Sequence, residues 1–163
     1  MPHQLIARVV KWKQKMINED DGDRVWCIFD VDDFYKDNPS SLLLAINNAH
    51  KNNIRIAYIN ECFEHWVLLH FEKISSLVSR GSEIENRIRK AFIKNNLGEF
   101  QKNQKVFQSL LPFQKNAIKN AESLMPNKYE EINWQIVLGN DGNPSTTIHL
   151  LIEEINQLLR DKQ

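Results

Sequence analysis

Cysteine is nearly absent: the chain has two, Cys27 and Cys62, and no Cys-x-x-Cys pair. That argues against a disulfide scaffold or a cysteine-built zinc cluster, and reduced thiols are expected. An excess of either charge is also missing, since 21 basic residues balance 21 acidic ones. No global positive field draws polyanions to the chain, although a basic face can still be assembled locally. No window approaches the roughly 20 apolar residues that cross a bilayer, and the opening Met1-Pro2-His3-Gln4-Leu5 has no apolar leader segment. A cytoplasmic protein with no membrane role is the expectation. There is no glycine-rich phosphate loop, no Gly-x-Ser-x-Gly elbow and no kinase motif set, so nucleotide-driven chemistry within the chain is not expected.

The chain has 163 residues, 42% of them hydrophobic. That is enough to bury a core in one domain, with residues 1–71 as an α/β part and 72–163 as a helical portion packing on it. Leu5, Ile6, Val9, Val10, Trp12 and Met16 follow helical spacing between lysines. After a polar loop, Val25-Trp26-Cys27-Ile28-Phe29 reads as a buried strand. Asp37-Asn38-Pro39-Ser40 is turn chemistry before a second helix from Leu42 to Ala49, and Ile54-Arg55-Ile56-Ala57-Tyr58-Ile59 reads as a second strand. Strand, helix and strand joined this closely predict a parallel βαβ pair covered by helices.

Cys62 to Phe71 predicts a mostly buried helix, and helices follow over Ser82 to Asn95, Val106 to Leu111 and Phe113 to Leu124. Asn133 to Leu138 fits either a short edge strand or an ordered loop. For the last helix, Asn143 is the expected cap and Pro144 the expected first residue. Its stripe of Ile148, Leu151, Ile152, Ile155, Leu158 and Leu159 should pack on the sheet or on neighbouring helices. The fold class is therefore α/β: a small parallel sheet followed by a mostly helical C-terminal half.

Ligands of parallel α/β sheets bind beyond the carboxyl ends of strands, and Asp30 ends the first strand. Residues two apart on extended backbone point the same way, so Asp30 and Asp32 can converge on one hard cation with Asp33 assisting. Oxygen-only donors suit magnesium or manganese. The alternative, a solvated acidic loop, has to explain three like charges crowded at the end of a buried strand.

Beyond the second strand lie Glu61, Glu64, His65 and His70. The histidines are five apart and form no His-Glu-x-x-His, so a zinc-protease helix is excluded and each histidine alone reads more simply as a structural or surface residue. Glu64, close to the start of an apolar helix, is the better candidate, serving a helix N-terminus or a shared metal. The basic residues Arg87, Arg89, Lys90, Lys94, Lys102, Lys105, Lys115 and Lys119 read as solvated helix faces, with a phosphate-binding strip as the alternative.

Three separated blocks together resemble the RloB-like family: Val25 to Phe34, Cys62-Phe63-Glu64-x-Trp66-x-Leu68-Leu69-His70, and Asn143-Pro144-Ser145-Thr146-Thr147-x-His149-Leu150-Leu151. The resemblance implies a TOPRIM/Rossmann-like βαβ core and a magnesium-dependent nuclease of antiphage defence. Such a nuclease acts on DNA or RNA beside a partner ATPase of the AbiL/RloA type. It places Asp30 and Asp32 at the TOPRIM metal-binding Asp-x-Asp. It also keeps Glu64 and His70 on family positions and drops His65. Members of the family begin with a strand and a Cys-Glu-Gly-x-x-Thr-Glu loop whose glutamate serves as general acid/base. Here no acidic residue precedes Glu19, so such a nuclease or its N-terminally truncated remnant is the expectation. Ile59 and Glu61 also depart from the usual Ser and Pro before the Cys-Phe-Glu block.

The expected site is thus Asp30, Asp32 and Glu64 as catalytic residues, Asp30, Asp32 and Asp33 around the metal, and His70 as a further candidate. A non-catalytic module that binds a partner is the alternative. A phosphatase of the haloacid-dehalogenase type, with Asp30 as nucleophile and Asp32 as acid/base, requires a later strand-borne acidic pair.

Overall fold

The computed structural model describes residues 2–16, 23–31, 38–74, 81–102, 105–125, 129–139 and 142–161. The chain opens with α1 (Pro2–Met16) and then forms β1 (Val25–Asp30), α2 (Pro39–Lys51) and β2 (Ile54–Asn60). β1 and β2 run parallel, from Val25 opposite Ile54 to Asp30 opposite Ile59, which is the expected βαβ pair. Pro39 begins α2, where its missing N–H costs nothing. The helical half comprises α3 (Phe63–Leu69), α4 (Ser82–Lys94), α5 (Phe107–Leu110), α6 (Gln114–Glu122), α7 (Trp134–Val137) and α8 (Ile148–Asp161). Between α7 and α8 the short β3 (Ser145–Thr146) pairs antiparallel with the end of β2, giving the sheet order β1-β2-β3.

Alternation along β2 divides the core. Ile54, Ile56 and Tyr58 pack with Ile6 of α1 and with Leu42 and Ile46 of α2. Ala57 and Ile59 face the opposite layer, with Trp66 of α3, Ile88 and Phe92 of α4, and Ala117 of α6. β1 follows the same rule on one side only. Val25, Cys27 and Phe29 are buried against α1 and α2, whereas Ile28 remains 54% exposed on the other face. Both cysteines are free and buried.

Two sequence expectations are corrected. Asn133 to Leu138 is neither strand nor loop, because Trp134–Val137 is a helical turn whose first N–H groups are accepted by the Asn133 side chain. Nor do Asn143 and Pro144 start the last helix, since β3 intervenes. The hydroxyl of Thr146 donates to the Tyr58 carbonyl at 2.8 Å and accepts from Ile148 N–H at 3.1 Å, taking the place of the expected cap. The apolar stripe of α8 is covered only in its first half: Ile148 is buried, while Ile155, Leu158 and Leu159 are exposed.

Side chains attach this C-terminal segment to β2. The Thr147 hydroxyl donates to the Ile56 carbonyl at 2.8 Å and accepts from Tyr58 N–H at 3.1 Å, while Thr147 N–H donates to the Tyr58 carbonyl at 3.0 Å. Asn60 donates to the carbonyls of Val137 and Gly139 at 3.0 and 2.9 Å. At Gly142 a Cβ would stand 2.3 Å from the Val137 carbonyl oxygen, so only glycine lets these two backbones approach.

His149 follows in α8, fully buried, with neither ring nitrogen meeting a hydrogen-bond partner. Burial pushes its imidazole down to about 4, against a smaller upward pull from the Thr146 backbone.

Thr147→Val keeps the shape but leaves the Tyr58 N–H and Ile56 carbonyl without their partner. Urea unfolding should show a loss of about 2–3 kcal/mol. The His149 ring stays neutral in the folded state, while the unfolded chain takes up its proton near pH 6.5. Its contribution is therefore intact above about pH 6.5 and is lost as pH falls towards about 4, a change on the order of 3 kcal/mol. Unfolding measured across that window should be less acid-sensitive in His149→Leu than in the wild type.

Candidate active site

The carboxyl ends of β1 and β2 and the start of α3 meet at one place. Asp30, the last residue of β1, belongs to the strand face on which Ile28 is also exposed. Val31 extends the parallel ladder by one bond, its N–H donating to the Ile59 carbonyl at 3.0 Å, which holds the Asp30 backbone against β2. Cys62, extended at φ −139° and ψ 161°, turns the chain into α3 and brings the Phe63 N–H to the Asp30 carboxylate.

Glu64 stands in the first turn of α3 and pairs with the Lys102 ammonium at 3.0 Å. The Glu64 side chain is 16% exposed and that of Lys102 61% exposed, so the lysine is free to move while the carboxylate is held. Desolvation raises the Asp30 carboxyl above its ordinary range and the nearby Glu64 charge adds to this, with Phe63 N–H and Lys102 pulling it back. Desolvation also raises Glu64, but hydrogen bonds from Lys102, its own N–H and the Cys62 thiol together outweigh it, and the net shift is downward. The Cys62 thiol is pushed up to about 12 by burial first and by Glu64 second, so it is not a thiolate nucleophile at neutral pH.

Glu64 lies near enough to Asp30 for its charge to raise the Asp30 carboxyl. Asp32 and Asp33 lie outside the described residues. His70 lies elsewhere: it ends α3, is buried, and bonds through Nδ1 to the Trp66 carbonyl at 2.9 Å. Burial lowers its pKa, keeping the ring neutral. His65 is buried too, and its Nδ1 accepts from Glu61 N–H at 2.9 Å, a structural role.

Sequence reasoning did not single out Lys102 or Cys62 for this site. Cys62 stands inside the block beside Glu64, so its place there was visible. Lys102 was one of many scattered basic residues, and only the return of the segment after α4 to the start of α3 distinguishes it.

Among the described residues no three His, Cys, Asp or Glu side chains converge as a metal cluster. The chemistry of the donors that do meet nevertheless fits a hard divalent cation. Both are carboxylates, and Asp30 carries a repulsion from Glu64 that a cation would relieve.

The parallel strand pair, the short third strand and the helical C-terminal half define a mixed α/β protein. The chain belongs to the RloB-like protein family, whose family model matches residues 1–155. No curated protein and no solved structure matches the chain.

Because Lys102 lowers both carboxylates, Lys102→Ala should move the titration midpoints of Asp30 and Glu64 upward together. Carboxyl-carbon NMR titration of the two residues checks this, and unchanged midpoints would remove Lys102 from the site.

Proposed function

We propose that this RloB-like chain is a divalent-metal-dependent nuclease of TOPRIM type, acting in antiphage defence with a partner ATPase. The observation that carries the reading is the meeting of Asp30 and Glu64 above the carboxyl ends of a parallel strand pair, with Lys102 beside them. Magnesium or manganese, when bound, supplies Lewis-acid polarisation of a phosphate oxygen and offsets charge on the attacking and leaving oxygens. Asp30 would hold it together with Asp32 and Asp33, and Glu64 would serve as a further ligand. The Phe63 N–H orients the Asp30 carboxylate. Lys102, exchanging its contact with Glu64 for one with the substrate, would neutralise a phosphate. The thiol of Cys62 is held protonated and takes no nucleophilic part.

A second reading, a non-catalytic module that assembles with a partner, is favoured by the exposed apolar residues Ile155, Leu158 and Leu159 on α8. The phosphatase reading finds less support: among the described residues the later strand is only Ser145–Thr146, which carries no acidic pair.

Calorimetric titration of magnesium and manganese distinguishes the first two readings. The wild type should bind metal and cleave DNA or RNA in a metal-dependent way. An Asp30→Asn/Asp32→Asn double variant should lose both, with cleavage falling by at least about a hundredfold. Absence of metal binding in the wild type would leave the partner-binding module.

A further inference from the structure

An apolar cavity of about 610 Å³ adjoins the start of α3, where Phe63 precedes Glu64. Phe63, whose N–H supports Asp30, lines it together with Trp66, His70, Phe107 and Leu111. Its size suits a small planar ligand.

Three features set it apart from a packing gap. The first is a buried polar ring, beside the less buried Gln108 and Gln114. Nδ1 of the neutral His70 ring donates to the Trp66 carbonyl, which leaves Nε2 as a hydrogen-bond acceptor in a mostly apolar lining. The second is the exposure of its aromatic walls, 46% at Phe63 and 69% at Phe107, which offers ring faces to an incoming ligand. The third is charge. Lys105 lines the cavity and forms no ion pair among the described residues, and Lys102 stands on the Glu64 side.

We propose that this cavity is a nucleobase subsite, which receives an unstacked base of a single-stranded nucleic acid beside the scissile phosphate. The proposal rests on the nuclease reading above and adds its substrate class. The base stacks on Phe63 and Phe107 and donates an amino or imino N–H to His70 Nε2, while Lys105 and Lys102 receive the flanking phosphates. An apolar peptide side chain would fill the same volume but leave the His70 acceptor unpaired and Lys105 without an anionic partner. Phe63 and Glu64 are consecutive, so base wall and carboxylate are one residue apart in the chain, and a base would have to leave its stack to enter the cavity.

The test is fluorescence anisotropy of labelled oligonucleotides with the full chain in EDTA, comparing single-stranded DNA, single-stranded RNA and duplex DNA of one sequence. Both single strands are expected to bind at least about tenfold more tightly than the duplex, and the stronger of the two identifies the sugar preferred. Phe107→Ala and Lys105→Ala alter exposed side chains and should leave the circular dichroism unchanged. The first should weaken single-strand binding by roughly five- to thirtyfold, and the second should weaken it severalfold and flatten its salt dependence. Equal binding of duplex, or full binding by Phe107→Ala, would overturn the subsite even if metal-dependent cleavage is observed. Single-strand binding that requires Phe107, without any metal-dependent cleavage, would keep the subsite and overturn the nuclease reading. No binding of any nucleic acid would overturn the subsite in favour of an apolar partner.

Discussion

The structure depends on β2 being buried on both faces and paired at both edges. A strand in that position needs a side chain of the right size at every residue and a partner for every N–H and carbonyl. Ile54, Ile56 and Tyr58 meet one helical layer, Ala57 and Ile59 the other, and β1 satisfies one edge along its whole length. The second edge has only the two-residue β3, and the hydroxyls of Thr146 and Thr147 supply bonds that a longer strand would have made. That is why a Ser-Thr-Thr run near the C-terminus belongs to the architecture of a strand almost ninety residues earlier. At the end of β2, Asn60 adds side-chain bonds to the carbonyls of Val137 and Gly139.

The same geometry creates the electrostatics of the site. A parallel pair ends both strands at one level, and the chain must then turn at once into helices. Asp30 and Glu64 are therefore delivered to the same rim, where partial desolvation makes like charge expensive. Lys102 relieves part of that cost from an exposed position, so its contribution to stability is small and its capacity to be displaced is large. A buried arginine in the same place would lock the carboxylates. The lysine leaves them available.

Coverage of the sheet is uneven, and the unevenness coincides with the site. α3 and α8 pack on β2, while the outer face of β1 remains open at Ile28 and Asp30. On the helical side the rings of Phe63 and Phe107 are exposed. The opposite layer of α1 and α2 supports β1 from behind through Cys27 and Phe29.

Hydrophobic periodicity by itself determined the βαβ core, the buried α3 and most later helices, because those elements follow local patterns of period two or near four. The blocks around Asp30, Glu64 and Thr146 were also enough to identify the family. Local chemistry misled where a tertiary bond outweighed it. Asn143 and Pro144 look like a helix start, yet the free edge of β2 draws Ser145 and Thr146 into the sheet and delays the helix. The α8 stripe has helical spacing throughout, but only contact with the other helices decides that its second half stays exposed. Only the tertiary structure selected Lys102 from the scattered basic residues and placed His70 in an aromatic cavity. Neither depends on sequence neighbours: one follows from a chain return after α4, the other from the burial of α3.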